Sequence, residues 1–98
     1  MPNMTTRQAE LRLSAIQNKN RTVRAALLGL PVSVTPLPEN AFMLSGVPKS
    51  GNESQFRVLA DNGLDITLNQ DGTAYDAVAT WDTMLHRLVM EGIVVLHA

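Results

Sequence analysis

The first thirty residues carry a hydrophobic stripe that is typical of an amphipathic helix. Two threonines, Thr5 and Thr6, precede the stripe at positions suited to an N-cap, and Gly29 and Pro31 follow it. The pattern predicts a helix over residues 5–28. The stripe recurs at alternating spacings of four and three and consists of Ala9, Leu13, Ile16, Asn20, Val23, Leu27 and Leu30.

The same stripe leaves two alternatives open. Asn18 and Asn20 favour caps and turns over helix interiors, so a break into two shorter helices near Asn18 is one alternative. The spacing also resembles a short coiled-coil seam, in which Asn20 is the single polar residue that fixes the register. We therefore expect the stripe either to pair with a second copy or to pack on a sheet.

Residues 31–46 read as extended chain. Proline occurs at positions 31, 36 and 38, which predicts a proline-rich connector over residues 31–40 with an edge strand at 32–35, because proline is tolerated mainly at sheet edges. Residues 41–45 form a plausible short strand. Residues 46–54 are rich in turn-forming residues and predict a loop.

The next segment indicates a hairpin. Residues 55–60 and 64–69 read as two strands, and the second alternates cleanly between apolar and polar side chains. Asn62-Gly63 lies between them and favours a tight turn, since both residues accept positive φ.

The last third of the chain predicts a long helix and a strand. Asp71-Gly72 forms a turn, Thr73 caps the helix, and residues 74–91 carry a helical stripe that ends at Gly92. The stripe consists of Ala74, Val78, Trp81, Leu85 and Leu88. Residues 93–97 are unbroken and β-branched, which suits a strand buried on both faces.

Together these elements predict an α+β fold in one domain that spans residues 1–98. The order is α-β-β-β-α-β: an N-terminal helix, a three-strand antiparallel meander, a long helix and a final strand. A right-handed crossover would make strands 64–69 and 93–97 parallel, in a mixed four-stranded sheet with helices packed on it. We expect residues 1–4 to be disordered.

Composition narrows the possible functions. Hydrophobic residues make up 45% of the chain and charged residues only 17%, which leaves neutral surface compatible with a partner interface. The absence of cysteine excludes disulfides, thiolate catalysis and iron–sulfur clusters. No signal peptide is recognisable and the longest apolar run is too short to span a bilayer, so we expect a cytoplasmic protein without membrane contact.

Charge is distributed unevenly along the chain. The first thirty residues hold Glu10 as their one acid, whereas the remainder is net acidic. This separation makes the N-terminal helix the candidate interface, for a protein, a second copy or phosphates. The candidate residues are Arg7, Arg12, Lys19, Asn20, Arg21 and Arg24.

Catalytic patterns are weak. Asp82 and His86 stand four residues apart on the predicted helix, so the acid could orient the imidazole, but no nucleophile accompanies them. We expect no catalytic site, no metal and no cofactor.

The sequence therefore predicts a small non-enzymatic, protein-binding or regulatory module. It resembles, in general type only, the small modulators that phages and other mobile elements encode. The alternative function is nucleic-acid binding through the basic N-terminal helix.

Overall fold

A computed structural model of the chain describes residues 5–46, 53–69 and 74–97. The predictions for residues 1–4, for most of the loop over residues 46–54, for the turn at Asp71-Gly72 and for the cap at Thr73 lie outside these ranges. The helices are α1 (Thr6–Lys19), α2 (Glu53–Asp61) and α3 (His86–Met90), and the strands are β1 (Val23–Leu27), β2 (Leu30–Leu37), β3 (Ala41–Gly46), β4 (Asp65–Leu68), β5 (Tyr75–Thr80) and β6 (Val94–His97).

The strands of the described residues form a six-stranded sheet in the order β4-β5-β3-β2-β1-β6. Every neighbouring pair is antiparallel. The fold is α+β as predicted, but the mixed four-stranded sheet and the order α-β-β-β-α-β are wrong. The two strands expected to pair in parallel, β4 and β6, lie at opposite edges.

Helix α1 begins as predicted and ends earlier. The Thr5 hydroxyl accepts a hydrogen bond from the Gln8 backbone N–H, and the Gln8 side chain accepts one from the Thr5 N–H, which completes a capping box. The helix stops at Lys19, where Asn20 adopts a left-handed conformation with φ of 49°. The predicted helix over residues 5–28 is therefore wrong beyond Lys19, at the segment that the asparagines weaken.

The apolar stripe is divided between two elements. Ala9, Leu13 and Ile16 are buried in the chain's own core, so they are not available for a coiled-coil seam. Beyond Asn20, the stripe residues Val23 and Leu27 lie on a strand, where Val23, Ala25 and Leu27 face the core at a spacing of two.

Strands β1 and β2 are joined by a two-residue hairpin. Leu28 and Gly29 both have positive φ, 53° and 77°, as a type I′ turn requires. The turn sets the register in which Leu27 lies opposite Leu30 and Arg24 lies opposite Ser33.

Strand β2 lies in the middle of the sheet, so the predicted proline-rich connector and edge strand are wrong. The tight turn makes Leu27 and Leu30 a hydrogen-bonded pair. Hydrogen-bonded and non-hydrogen-bonded pairs then alternate along the strands, so successive backbone nitrogens of β2 point alternately toward β1 and toward β3. The nitrogen of Pro31 accordingly points toward β3, beyond the pair of Val32 and Gly46 that ends the described part of this ladder, and that of Pro36 points toward β1, whose pairing ends at Val34. Pro36 therefore stands where the ladder needs no donor.

Residues 55–60, predicted as a strand, belong to α2. Gln55 and Leu59 are buried one turn apart, and Asn62-Gly63 closes the helix rather than a hairpin. Gly63 has φ of 80°, and the Leu64 N–H donates to the Leu59 carbonyl in the manner of a Schellman cap. The strand prediction for residues 64–69 is confirmed by β4.

The predicted long helix over residues 74–91 is wrong in its first half. Tyr75, Ala77 and Ala79 are buried in alternation with exposed neighbours, which is the period of a strand, and they form β5. A helical segment (Trp81–Leu85), kinked at Thr83 where ψ is −171°, then leads into α3, which closes at Gly92 with φ of 77°, as expected for the end of that helix.

The final strand is confirmed at residues 94–97, but its surroundings differ from the prediction. Within the described ranges, strand β6 pairs with β1 alone and forms an edge of the sheet. Val94 and Leu96 face the core, whereas Val95 is half-buried on the other side.

The buried core lies between the helices and one face of the sheet, which we call the packed face. Its buried side chains come from all three helices and from β1, β2, β3, β5 and β6. Two buried polar groups satisfy each other there: the Gln55 Nε2 donates to the Leu27 carbonyl, and the Tyr75 hydroxyl donates to Gln55 Oε1, both at 2.8 Å. Burial raises the pKa of Tyr75 to about 12.

Candidate interaction surface

The opposite side of the sheet, which we call the open face, is covered by no described helix. Strand alternation places on it the side chains that do not face the core, and each of them is half-buried or exposed. They are Arg24, Ala26, Pro31, Ser33, Thr35, Leu37, Ala41, Met43, Ser45, Asp65, Thr67, Asp76, Val78, Thr80, Val95 and His97.

A row of polar side chains crosses the open face from one edge to the other. Each strand contributes one residue, and each residue lies directly opposite the next in the strand register. We call this set the polar row. In spatial order it is Thr67, Asp76, Ser45, Ser33, Arg24 and His97.

Opposite charges occupy opposite halves of the polar row. Arg24 lies on β1, at one side of the sheet, beside His97 on the edge strand β6, while the Asp76 carboxylate lies on β5 at the other side. Asp65, on the adjacent row, adds a second carboxylate at the β4–β5 side. The Ser45 hydroxyl donates to Asp76 Oδ1 at 2.8 Å, which orients the carboxylate on the sheet surface.

Apolar side chains flank the polar row on both sides. Near the β1–β2 hairpin, Val95, Ala26 and Pro31 lie side by side on neighbouring strands. At the other end of the strands, Met43 lies opposite Val78. The open face thus combines neutral, partly buried carbon surface with a few charges at fixed positions.

The basic side of the open face is concave. A depression of about 590 Å³ has Arg24, Pro31, Ser33, Ser45 and His97 among its lining residues. A smaller depression of about 330 Å³ lies elsewhere, between the end of α1 and the β2–β3 loop, and Asn20 lines it together with Glu39.

The structure divides the sequence-predicted interface between two places. Arg7, Arg12 and Lys19 are exposed on α1, on the side of the packed face, and Arg21 is exposed in the segment that follows the helix. A fifth candidate, Arg24, belongs to β1 and projects from the open face. The remaining candidate, Asn20, caps the helix.

Asp82 and His86 are not paired with each other. The Thr80 hydroxyl donates to the Asp82 carboxylate, and His86 Nδ1 bonds to the Thr83 carbonyl at 2.8 Å. The His86 ring also packs against Trp81, with ring centroids 5.4 Å apart. These contacts account for the positions of both side chains locally.

Two further features are absent from the described ranges 5–46, 53–69 and 74–97. No three acidic or histidine side chains there lie close enough together to hold a metal ion. No helix there has the length and apolar character needed to cross a membrane.

Sequence reasoning found Arg24 of the polar row and missed the others. The signal that could have found them is the period-two alternation of residues 23–27 and 75–80, which both read as helical when the apolar residues alone are matched to a period of 3.6. Comparison of the chain with protein-family models, with curated proteins and with solved structures gives no match.

Proposed function

We propose that this chain is a non-enzymatic module that binds a protein partner through the open face of its sheet. The observation that carries the proposal is the polar row, set among half-buried apolar side chains on a face that no described helix covers. A partner that pressed on this face would remove the flanking carbon surface from water and meet hydrogen-bonding groups at fixed positions.

Low charge on the open face supports the proposal. Of the open-face residues that the structure describes, only Arg24, Asp65 and Asp76 carry a formal charge, although a face open to water is usually polar. Central parts of protein interfaces are depleted in charged residues, because desolvating an unpaired charge is costly. Met43 and Leu37 occupy middle strands of the sheet, where such a central part would lie.

The local contacts of Asp82 and His86 favour binding over catalysis. In nucleophilic catalysis a histidine base lies within hydrogen-bond reach of the nucleophile, and a third group commonly orients its ring. His86 instead bonds to a backbone carbonyl, and Asp82 is held by Thr80. Neither residue lines the depression on the open face.

Site-specific photo-crosslinking tests the proposal. A photoreactive phenylalanine analogue replaces Met43 on the open face or, as the matched control, Leu11 on the exposed side of α1, where the side chain is 57% exposed. We expect protein adducts from position 43 and few from position 11, after irradiation in a nuclease-treated lysate of the native host. Equal labelling from both positions, or labelling from position 11 alone, would contradict binding through the open face.

Nucleic-acid binding through α1 is the second candidate. Arg7, Arg12 and Lys19 are exposed on this helix, and Arg21 is exposed just beyond it. Phosphate contacts of this kind release counterions, so the affinity for DNA or RNA should fall steeply with salt. A salt titration by fluorescence anisotropy, repeated with Arg12→Glu and Arg21→Glu, tests this candidate separately from the open face.

A further inference from the structure

We infer that the occupant of the open face is a second copy of this chain. The two copies would pack face to face around a twofold axis that runs parallel to the strands, between β2 and β3. This inference rests on the proposed function, because it names the partner of the same face.

The order of the strands suits this axis. In the sheet β4-β5-β3-β2-β1-β6, the boundary between β3 and β2 is the midpoint. A twofold axis along that boundary exchanges β3 with β2, β5 with β1 and β4 with β6. Because the rotation keeps each residue at its height along the strands, the polar row of one copy lies on the polar row of the other.

The charges become complementary in this arrangement. Arg24 on β1 faces Asp76 of the second copy on β5, and the symmetry repeats the contact. Ser33 faces Ser45 of the second copy, near the axis. Stacked sheets lie about 10 Å apart, a separation that an arginine and an aspartate reaching toward each other can span.

The other in-plane twofold axis gives the opposite result. An axis perpendicular to the strands would place each strand over the same strand of the second copy. Arg24 on β1 would then approach β1 of the second copy, and Asp76 on β5 would approach β5. Like charges held together at an interface are unfavourable and select against that mode. The charge separation along the polar row therefore selects the axis parallel to the strands.

Apolar side chains lie close to the proposed axis. Leu37 on β2 faces Ala41 of the second copy on β3, and Met43 on β3 faces Thr35 of the second copy on β2. These contacts would form the dry centre of the interface, with the Arg24–Asp76 contacts toward its sides. The concave basic half of the open face would receive strands β4 and β5 of the second copy.

The size of the face predicts a weak dimer. Six strands at about 4.8 Å spacing, with about five residues each at about 3.4 Å, span roughly 500 Å². Stable interfaces bury about 800 Å² on each partner, so this one belongs to the smaller, transient class. We expect a dissociation constant on the order of 10 μM.

Charge reversal tests both the occupant and the axis. Arg24→Asp places like charges at both symmetric contacts, and so does Asp76→Arg. An equimolar mixture of the two variants restores opposite charges at both contacts, because one contact then joins the two substituted positions and the other joins the native Arg24 and Asp76. Arg12→Asp on α1 and Asp61→Arg on α2 are matched controls with the same changes in net charge at exposed positions.

Sedimentation velocity from about 1 to 300 μM, with circular dichroism as a check on folding, gives the outcome. We expect concentration-dependent dimers for the wild type and both controls. Each charge-reversed variant alone should associate at least tenfold more weakly, and the mixture should recover a dissociation constant within about threefold of the wild-type value. Dimers that Arg12→Asp weakens and Arg24→Asp does not would overturn the inference in favour of contact through α1.

The remaining outcomes separate this inference from the proposed function. A wild-type chain that stays monomeric at 300 μM, yet crosslinks from position 43 to a different protein, overturns the second-copy inference and leaves the open face as a binding surface. A monomeric chain with no protein adduct from position 43 overturns both. Dimers whose affinity is unchanged by Arg24→Asp and by Asp76→Arg also overturn the proposed axis.

Discussion

Adjacent residues of one strand point to opposite faces of the sheet, and the two faces differ in burial and in polarity. In β3, Phe42 and Leu44 are buried under the helices, while Met43 and Ser45 lie half-buried on the open face. The packed face holds the chain together through apolar burial. The open face carries an ordered polar row with opposite charges at its two sides, which burial does not require. The difference teaches that, along each strand, residues that stabilise the fold alternate with residues that are available for recognition.

The largest expected contrast lies between Phe42 and Met43. Phe42→Ala removes a fully buried ring and should lower the free energy of unfolding by about 3–5 kcal/mol. Met43→Ala, on the next residue, should cost below about 1 kcal/mol, since its side chain is only partly buried. Urea unfolding of both variants measures the contrast, and similar losses would mean that the open face is covered within the chain.

Gly46 tests how closely the packed face is filled. Gly46 lies opposite Tyr75, whose ring occupies the space that a side chain at position 46 would need, so an added methyl group would overlap ring atoms and the hydroxyl. Gly46→Ala should destabilise the fold by about 1–3 kcal/mol through overpacking. Ser45→Ala on the open face is the neighbouring control and should cost less. Tolerance of alanine at position 46 would show that the Tyr75 ring shifts freely.

Tyr75 also tests the buried hydrogen bonds. Tyr75→Phe keeps the ring contact with Phe56, at a centroid distance of 4.9 Å, and removes the hydroxyl that donates to Gln55. The Gln55 Oε1 would lose that bond inside the core, so the free energy of unfolding should fall by about 1–3 kcal/mol. Thermal and urea denaturation measure the loss. An unchanged stability would indicate that water replaces the hydroxyl.

The same tyrosine predicts a pH dependence. Its pKa rises from 10.0 to about 12 because burial disfavours the phenolate. A raised folded-state pKa means that the folded chain binds the Tyr75 proton more tightly than the unfolded chain does. The contribution of this proton to the free energy of unfolding is therefore fully present below pH 10 and is lost between pH 10 and 12. The free energy of unfolding should fall by roughly 1.4 kcal/mol for each pH unit in that window. The difference between wild type and Tyr75→Phe isolates it, and parallel pH profiles would contradict it.

Local signals in the sequence were sufficient for some elements. The cap at Thr5, the strands within residues 41–45, 64–69 and 93–97, and the helix end at Gly92 each rest on a short, local pattern. Residues 55–60 failed because Asn62-Gly63 suits a hairpin and a helix end equally well, and Gly63 has the same positive φ in both.

Two other failures have a common physical origin. In residues 20–30 and 74–80, apolar positions four apart match a helical period, but they match a strand period as well. Alanine at positions 77 and 79 raises the helix propensity of what is a buried strand. Pairing of β5 with β3, and of β1 with β6, decides for the strand, and these partners are distant in sequence.

The polar row was less accessible to sequence reasoning than any element. Arg24 was singled out for its charge, but Ser33, Ser45 and Asp76 have nothing in common along the chain. They align only because turns and pairing fix the register of six strands, so that residues as distant in sequence as Arg24 and His97 stand side by side. A site of this kind follows from topology, and topology was the part of the prediction that failed.

The smallest expected effect concerns the turn that fixes this register. Leu28 holds a left-handed conformation with φ of 53° while its side chain is 41% exposed, and branched apolar residues are sterically disfavoured there. Leu28→Asn should therefore stabilise the fold by roughly 0.5–1 kcal/mol, because Asn-Gly is the preferred type I′ pair. The Leu28→Asn substitution leaves the register of β1 and β2 unchanged, so self-association through the open face should be unaffected. Leu28→Val, which is worse suited to positive φ, is the control that should destabilise. If Leu28→Asn lowers stability instead, the leucine side chain contributes packing at the hairpin that outweighs its backbone cost.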